Sequence, residues 1–129
     1  MKKTSLTFKL IDEKYAVCRL SANDKLPDWC PLEDFVSITK TEDELSIVCK
    51  EKYVSENVTS ERDWRILKIL GPLDFSLVGI LSKITSTLAL HSISVFAIST
   101  YDTDYILVKD STISKTIEVL EKEGYKIIS

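Results

Sequence analysis

The chain has 129 residues, a net charge of −3 and a pI of about 5.2, with 44% hydrophobic and 29% charged residues. This composition is typical of a soluble globular protein with one ordinary domain or two very small ones. Lysine and arginine are scattered, so the clustered positive charge of a nucleic-acid-binding protein is missing. The most apolar window, residues 88–98, is too short to cross a bilayer, and the N-terminus lacks a signal-peptide-like apolar run. We therefore expect a cytoplasmic protein without nucleic-acid or membrane partners.

The three cysteines, Cys18, Cys30 and Cys49, form no CxxC motif and are odd in number. Neither a metal site nor a disulfide framework has this pattern. Since an unpaired cysteine packs as a small hydrophobic residue, we predict buried thiols. We expect no metal and no other cofactor.

The first half of the chain is predicted to be rich in strands, because apolar and polar residues alternate along it. The predicted strands are residues 5–11, 14–20, 34–40 and 44–50. A tight turn at Asp12 and Glu13 would join the first two strands in a hairpin. Residues 51–62 are polar and carry no sustained period, which indicates a linker between two units.

The second half follows the order strand, helix, strand, strand, helix, strand. The predicted strands are residues 63–70, 93–101, 105–109 and 125–128, and the predicted helices are residues 76–90 and 112–123. Apolar residues recur at intervals of three and four in both helices, giving each one apolar stripe. This order predicts an α+β, ferredoxin-like βαββαβ unit, with an antiparallel sheet and both helices on one face.

Gly79 is the first candidate site residue, because it lies near the start of the first predicted helix. A helix N-terminus presents unpaired N–H groups, and a glycine there lets a carboxylate approach the backbone. The amides of Val78, Gly79 and Ile80 are predicted to bind an α-carboxylate. Ser76 is predicted to cap the helix and to line the site. The alternative is that Gly79 serves only tight packing of the helix on the sheet.

The turn between the two central strands supplies the other candidates, Asp102 and Asp104. Two carboxylates at this position could bind an α-ammonium group or a cationic side chain. The alternative is turn chemistry, since aspartate side chains bond nearby backbone amides in turns. Thr100 and Thr103 could support either role. No third ligand has suitable spacing for a metal.

An enzyme is the least favoured class. The chain has one histidine, His91, and no nucleophile–base pair or phosphate-binding loop is recognisable. His91 follows an apolar helix end, where a surface or capping role is expected.

Three stretches, TEDELSIVC at 41–49, GPLDFSLVGIL at 71–81 and FAISTYDTDYILVK at 96–109, resemble the ACT domain family. This family comprises small ligand-binding regulatory modules of amino-acid metabolism. With the Pro-Trp segment near residues 27–31, the similarity is to short stand-alone proteins with two tandem ACT-like units. That group is related to the regulatory domains of aspartokinases and to cytosolic arginine sensors of animal cells.

The resemblance implies two tandem ferredoxin-like units, an N-terminal ACT-like unit at residues 1–60, short on helix, and a C-terminal ACT domain at residues 61–129. It also implies a homodimer and a ligand, most often an amino acid, bound at an interface between ACT units. The contacts would come from the loop entering the first helix and from the following strand. One departure is that Val78 stands before Gly79, where many ligand-binding ACT domains have Pro-Gly, so the ligand's identity does not carry over.

Two functions are therefore expected. The first is a non-enzymatic, amino-acid-sensing regulatory protein that acts on a protein partner. The alternative is a dimerisation or partner-docking module without a ligand, because strand edges in the first half need covering.

Overall fold

The computed structural model describes residues 6–70 and 79–129. In chain order its elements are strands β1 (Thr7–Leu20), β2 (Ser37–Lys40), β3 (Leu45–Lys50) and β4 (Ser60–Ile69), helix α1 (Ile80–Leu90), strands β5 (Val95–Ser99) and β6 (Asp104–Lys109), helix α2 (Ile113–Lys122) and strand β7 (Lys126–Ile128). The protein is therefore a strand-rich α+β protein. Within the described ranges, neither helix has the length and apolar character needed to span a membrane.

The chain forms two compact units, and one of them is built from two separate segments of the sequence. Unit 1 contains Met1–Asp12 and Arg65–Ser129, and unit 2 contains Glu13–Trp64. The chain passes from one unit to the other within β1 and again within β4. The predicted division at residue 60 treats the units as consecutive segments, whereas the first twelve residues belong to unit 1 together with the C-terminal half.

The predicted hairpin in the first twenty residues is wrong, because β1 is one continuous strand of 14 residues. A two-residue hairpin turn of type I′ needs two residues with positive φ, and neither Asp12 nor Glu13 has one. The alternation of apolar residues on both sides of these acids belongs to a single strand.

The sheet of unit 1 has β1 between β7 and β4, followed by β6 and β5. The pairing of β5 with β6 is antiparallel, as predicted. The pairing of β1 with β7 is parallel, with Phe8 opposite Ile127, so the prediction of uniformly antiparallel sheets is wrong for this pair. The N-terminal strand takes the place beside β4 that a simple βαββαβ unit gives to its last strand.

Both helices pack against one face of this sheet, as the ferredoxin-like order of elements predicted. The buried core joins residues of β4 and β6 that alternate along each strand with residues from both helices: Leu6, Phe8, Leu67, Ile69, Ile84, Leu88, Ile93, Ile106, Val108, Val119 and Leu120. Since alternate residues of a strand share a face, the two helices cover the same side.

Unit 2 has the strand neighbours β2, β3, β1 and β4, with antiparallel pairing of β3 to both β2 and β1. Its buried core contains Ala16, Cys18, Cys30, Leu45, Ile47, Cys49 and Val54. All three cysteines are free and buried, which confirms the prediction of buried thiols. Burial raises the pKa of the Cys30 thiol, consistent with an inert packing role.

Replacing Leu88 in α1 by alanine should destabilise the protein by about 2–5 kcal/mol, because the side chain is fully buried in the core of unit 1. Leu90→Ala in the same helix is the matched control. Its side chain is 84% exposed, so the change should stay within about 0.5 kcal/mol. Urea unfolding measures both values, and equal losses would contradict the assigned helix face.

Candidate functional site

Gly79 is the residue from which α1 begins. Its φ of 78° and ψ of 6° lie in the left-handed region, which glycine adopts without steric cost. Its carbonyl oxygen accepts a hydrogen bond from the Lys83 amide at 2.9 Å, so Gly79 is the N-cap residue. No described atom lies within 4 Å of where a Cβ on Gly79 would stand. Its backbone conformation, rather than tight packing against the described residues, accounts for this glycine.

The position of the N-cap changes which amides a ligand could reach. The first N–H groups of a helix have no acceptor within it, and here these belong to Ile80, Leu81 and Ser82. Ile80 was among the predicted donors. Ser76 and Val78, the other predicted residues of the loop, lie outside the described residues.

The turn between β5 and β6 is held by threonines. The Thr100 amide donates to the Thr103 carbonyl oxygen at 2.8 Å, and the Thr103 amide donates to Thr100 Oγ1 at 3.3 Å. The Thr103 side chain is 5% exposed, and its hydroxyl donates to the Ile69 carbonyl oxygen at 2.6 Å. Thr103 therefore fastens the turn to the end of β4. Its burial assigns it a structural role, whereas Thr100 is exposed.

The two aspartates do not hold this turn. Asp102 is exposed and Asp104 is half-buried, at the start of β6. No hydrogen bond or ion pair joins either carboxylate to any described residue. The turn-chemistry alternative predicted bonds from these side chains to nearby amides, and the threonines make those bonds instead. Within the described residues, both carboxylates keep their capacity to accept hydrogen bonds.

The start of β6 lies beside the end of β4. Thr103 binds Ile69 at one end, and at the other end Arg65 Nη1 lies 3.1 Å from Asp110 Oδ1. The two strands therefore run in opposite directions. Since β5 pairs antiparallel with β6, β5 runs in the same direction as β4. The two strands therefore finish at the same end of the sheet.

This topology places Gly79 and the aspartates at one end of unit 1. Helix α1 ends at Leu90, shortly before the start of β5, and it packs along the sheet. Its 11 residues span about 16 Å, so its N-terminus lies towards the end where β4 and β5 finish. Thus the helix start and the Asp102–Asp104 carboxylates share an end of the sheet. The structure brings these predicted residues to the same end.

An exposed tyrosine at this turn was not among the predicted residues. Tyr101 is 84% exposed and directly precedes Asp102. Aromatic residues favour half-buried positions in strands. The sequence signal for an exposed Tyr101 was its place at the very end of a predicted strand, directly before the predicted turn, rather than within the strand.

His91 is the C-cap residue of α1 and is exposed, with Nδ1 3.0 Å from the Thr87 carbonyl oxygen. This confirms the predicted position at the helix end. Within the parts of the chain that the structure describes, no group of three or more His, Cys, Asp or Glu side chains could hold a metal ion.

Thr103→Val should destabilise the protein by about 1–3 kcal/mol, because it removes the buried donor to the Ile69 carbonyl. Asp102→Asn in the same turn should change stability by less than about 0.5 kcal/mol, since its carboxylate holds nothing in the described chain. Chemical unfolding of both variants tests this assignment. A loss at Asp102 as large as the loss at Thr103 would show that the aspartate maintains the turn.

Both halves of the chain match family models of known proteins. The family model described as an ACT domain matches residues 59–122, and a second model, described as an N-terminal domain, matches residues 13–57. A solved structure of a protein from Agobacterium tumefaciens has 34% sequence identity and a TM-score of 0.91, covering 98% of this chain and 94% of that one. Aspartate kinase from Synechocystis shares the fold, with a TM-score of 0.66 and 13% identity over 97% of this chain and 27% of that one.

A curated relative is the cytosolic arginine sensor for mTORC1 subunit 1 from Homo sapiens, with 42% identity over 60 residues. The match covers 46% of this chain but only 18% of that protein, so the chain matches less than a fifth of the length of this relative. The family model over the second half, together with the full-length similarity to the Agobacterium protein, identifies the family. The chain belongs to the ACT domain family.

Proposed function

We propose that this protein is a non-enzymatic regulatory protein that binds an amino acid at the end of unit 1 where α1 begins. The observation that carries the proposal is the pair of carboxylates of Asp102 and Asp104, which make no bond within the described chain and lie at the same end as the helix start. Support also comes from the name of the matched human protein, an arginine sensor.

The arrangement suits a zwitterion. The amides of Ile80, Leu81 and Ser82 and the positive end of the helix dipole attract the α-carboxylate. Asp102 and Asp104 attract the α-ammonium group or a cationic side chain through charge-assisted hydrogen bonds. One end of the sheet thus offers donors for the negative group and acceptors for the positive group.

A second copy of the chain completes the site in this proposal. Ile80 is partly buried and packs against the core, and Asp102 is exposed, so these residues alone do not enclose a ligand. Ligand sites usually bury most of a small molecule, so a further wall is needed. The protein then acts as a homodimer, located in the cytoplasm as the name of the arginine sensor indicates, and regulates a protein partner.

A thermal-shift panel of the twenty amino acids at millimolar concentration tests the proposal. The binding amino acid should raise Tm progressively, because a ligand specific for the native state adds RT ln(1 + [L]/Kd), about 2.7 kcal/mol at a hundredfold excess over Kd. A panel in which no amino acid shifts Tm at any concentration would overturn the proposal.

The double variant Asp102→Asn/Asp104→Asn should abolish most of this ligand-dependent shift and leave the unliganded Tm nearly unchanged, because neither carboxylate has a partner in the described chain. The matched control is Glu118→Gln/Glu121→Gln, which removes two charges from the exposed face of α2 in the same unit. The control should keep the full shift. An equal loss in both variants would point to general electrostatics rather than to the turn.

The alternative is a ligand-free dimerisation or docking module. Among the described strands, β5 and β7 lie at the edges of the sheet in unit 1 and β2 lies at an edge in unit 2, where Ile38 is 43% exposed. Exposed edges of this kind recruit partner strands. Light scattering tests this function, and a monomer at high protein concentration would exclude it.

Gly79→Leu separates the two functions. A sensor loses its ligand response, because the side chain enters the open space before the amides and strains the positive φ. A docking module keeps its partner through its strand edges.

A further inference from the structure

A short segment of unit 2, residues 31–36, lies over a cross-strand pair; we name it the strap. Tyr15 of β1 and Lys50 of β3 are directly opposite one another, so their side chains share one face. The Phe35 ring packs edge-on against Tyr15, with ring centroids 6.0 Å apart and an interplanar angle of 81°. The Lys50 ammonium group binds the Asp34 carboxylate. Two consecutive strap residues therefore cover the two members of the pair.

A third side chain fastens the strap. Tyr53 Oη donates to Glu33 Oε1 at 3.0 Å. Thus Glu33, Asp34 and Phe35 are each held by a side-chain contact, and two of these contacts end on carboxylates. The strap is attached mainly by polar contacts, which water and ions can replace.

Two uncommon features meet at the strap and the residue pair it covers. Tyr15 is fully buried, and no described residue makes a hydrogen bond to its hydroxyl. Asp34 has a φ of 57°, in the left-handed region that few residues other than glycine, asparagine and aspartate adopt. A buried polar group without a partner and a non-glycine residue in the left-handed region are each uncommon in a native structure, and both occur more often at functional positions.

The groups around this point are suited to an anion. Burial raises the pKa of Tyr15 to about 12, against the opposing effect of the Lys50 ammonium, so the phenol keeps its proton and remains a donor. The Lys50 side chain is only 13% exposed, and its ammonium group is a second hydrogen-bond donor on the same face. Asp34 satisfies the ammonium, but no described group satisfies the phenol.

We propose that Tyr15 and Lys50 form a second binding site, specific for a small carboxylate, which Asp34 of the strap occupies in this structure. An incoming carboxylate replaces Asp34 on Lys50 and accepts a further hydrogen bond from the Tyr15 hydroxyl. The exchange keeps the charge on Lys50 neutralised, gives the phenol a partner and releases the Asp34 carboxylate to water. The strap therefore competes with the ligand and sets how tightly the ligand binds.

Acetate is the probe, and the 15N resonance of the Lys50 ammonium group is the readout, with sodium chloride at the same ionic strength as reference. Asp34→Asn removes the competing carboxylate, while asparagine tolerates the left-handed conformation. The variant should bind acetate about tenfold more tightly than the unaltered chain, because one charge-assisted bond no longer competes. Adding Tyr15→Phe should reverse most of that gain.

Unit 2 also contains a matched control. Lys14 Nζ lies 3.5 Å from Asp63 Oδ1, and Asp63 likewise has a positive φ, of 67°, but the pair is well exposed. Asp63→Asn should therefore give no saturable acetate binding at Lys14. Equal acetate binding at Lys14 and Lys50 would overturn the proposal, because it would reflect any unpaired lysine.

Two further results would also overturn it: no saturable shift of Lys50 in Asp34→Asn, or unchanged affinity after Tyr15→Phe. If Asp34→Asn does not fold, the unaltered chain gives the answer at higher acetate concentrations. The ring resonances of Tyr15 and Phe35 should then move together to saturation as Asp34 is displaced. Shifts identical to those in sodium chloride would reject the site.

Discussion

The candidate site depends on one buried hydrogen bond, from the Thr103 hydroxyl to the Ile69 carbonyl oxygen. This bond ties the turn between β5 and β6 to the end of β4, from which the chain continues towards α1. Because Thr100 and Thr103 satisfy the turn's own backbone groups, Asp102 and Asp104 are not needed to stabilise it. Among the described residues, the threonines thus make the bonds that stabilise the turn, whereas the two aspartate carboxylates make none.

Local periodicity was enough to predict most of unit 1. The stripe of α1, the alternation in β5 and β6 and the stripe of α2 are each properties of a short window, and the structure places these elements within a few residues of their predicted bounds. Pairing between distant residues leaves no such signal. The parallel contact of β1 with β7 joins the two ends of the chain, so no local pattern could predict it.

The error at Asp12 and Glu13 has the same origin. Two adjacent acids between alternating segments are compatible with a turn, but they are also compatible with a strand whose polar side chains point to water. A long strand is favoured when partners are present along its whole length. In this protein β1 has β7 beside its start and β3 beside its end, and neither partner can be recognised from the first twenty residues.

The candidate site was predictable in composition but not in arrangement. Gly79 and the two aspartates could be named from residue type and position, whereas the N-cap geometry moved the donors from residues 78–80 to residues 80–82. The shared end of the sheet follows from the pairing of β4 with β6, which joins residues that lie far apart in the sequence. The roles of the threonines depend on burial, which a turn sequence does not reveal.

The two proposed sites differ in the free-energy cost of leaving a polar group without a partner in the protein. Asp102 is exposed, so water satisfies its carboxylate and leaving it unpaired costs little. The Tyr15 hydroxyl is enclosed, so the lack of a partner is a real penalty for the native fold. An aliphatic or phenylalanine side chain would fill the same space without that penalty. The buried phenol therefore gives, from energetics alone, a stronger reason to expect a bound partner than the exposed aspartates do.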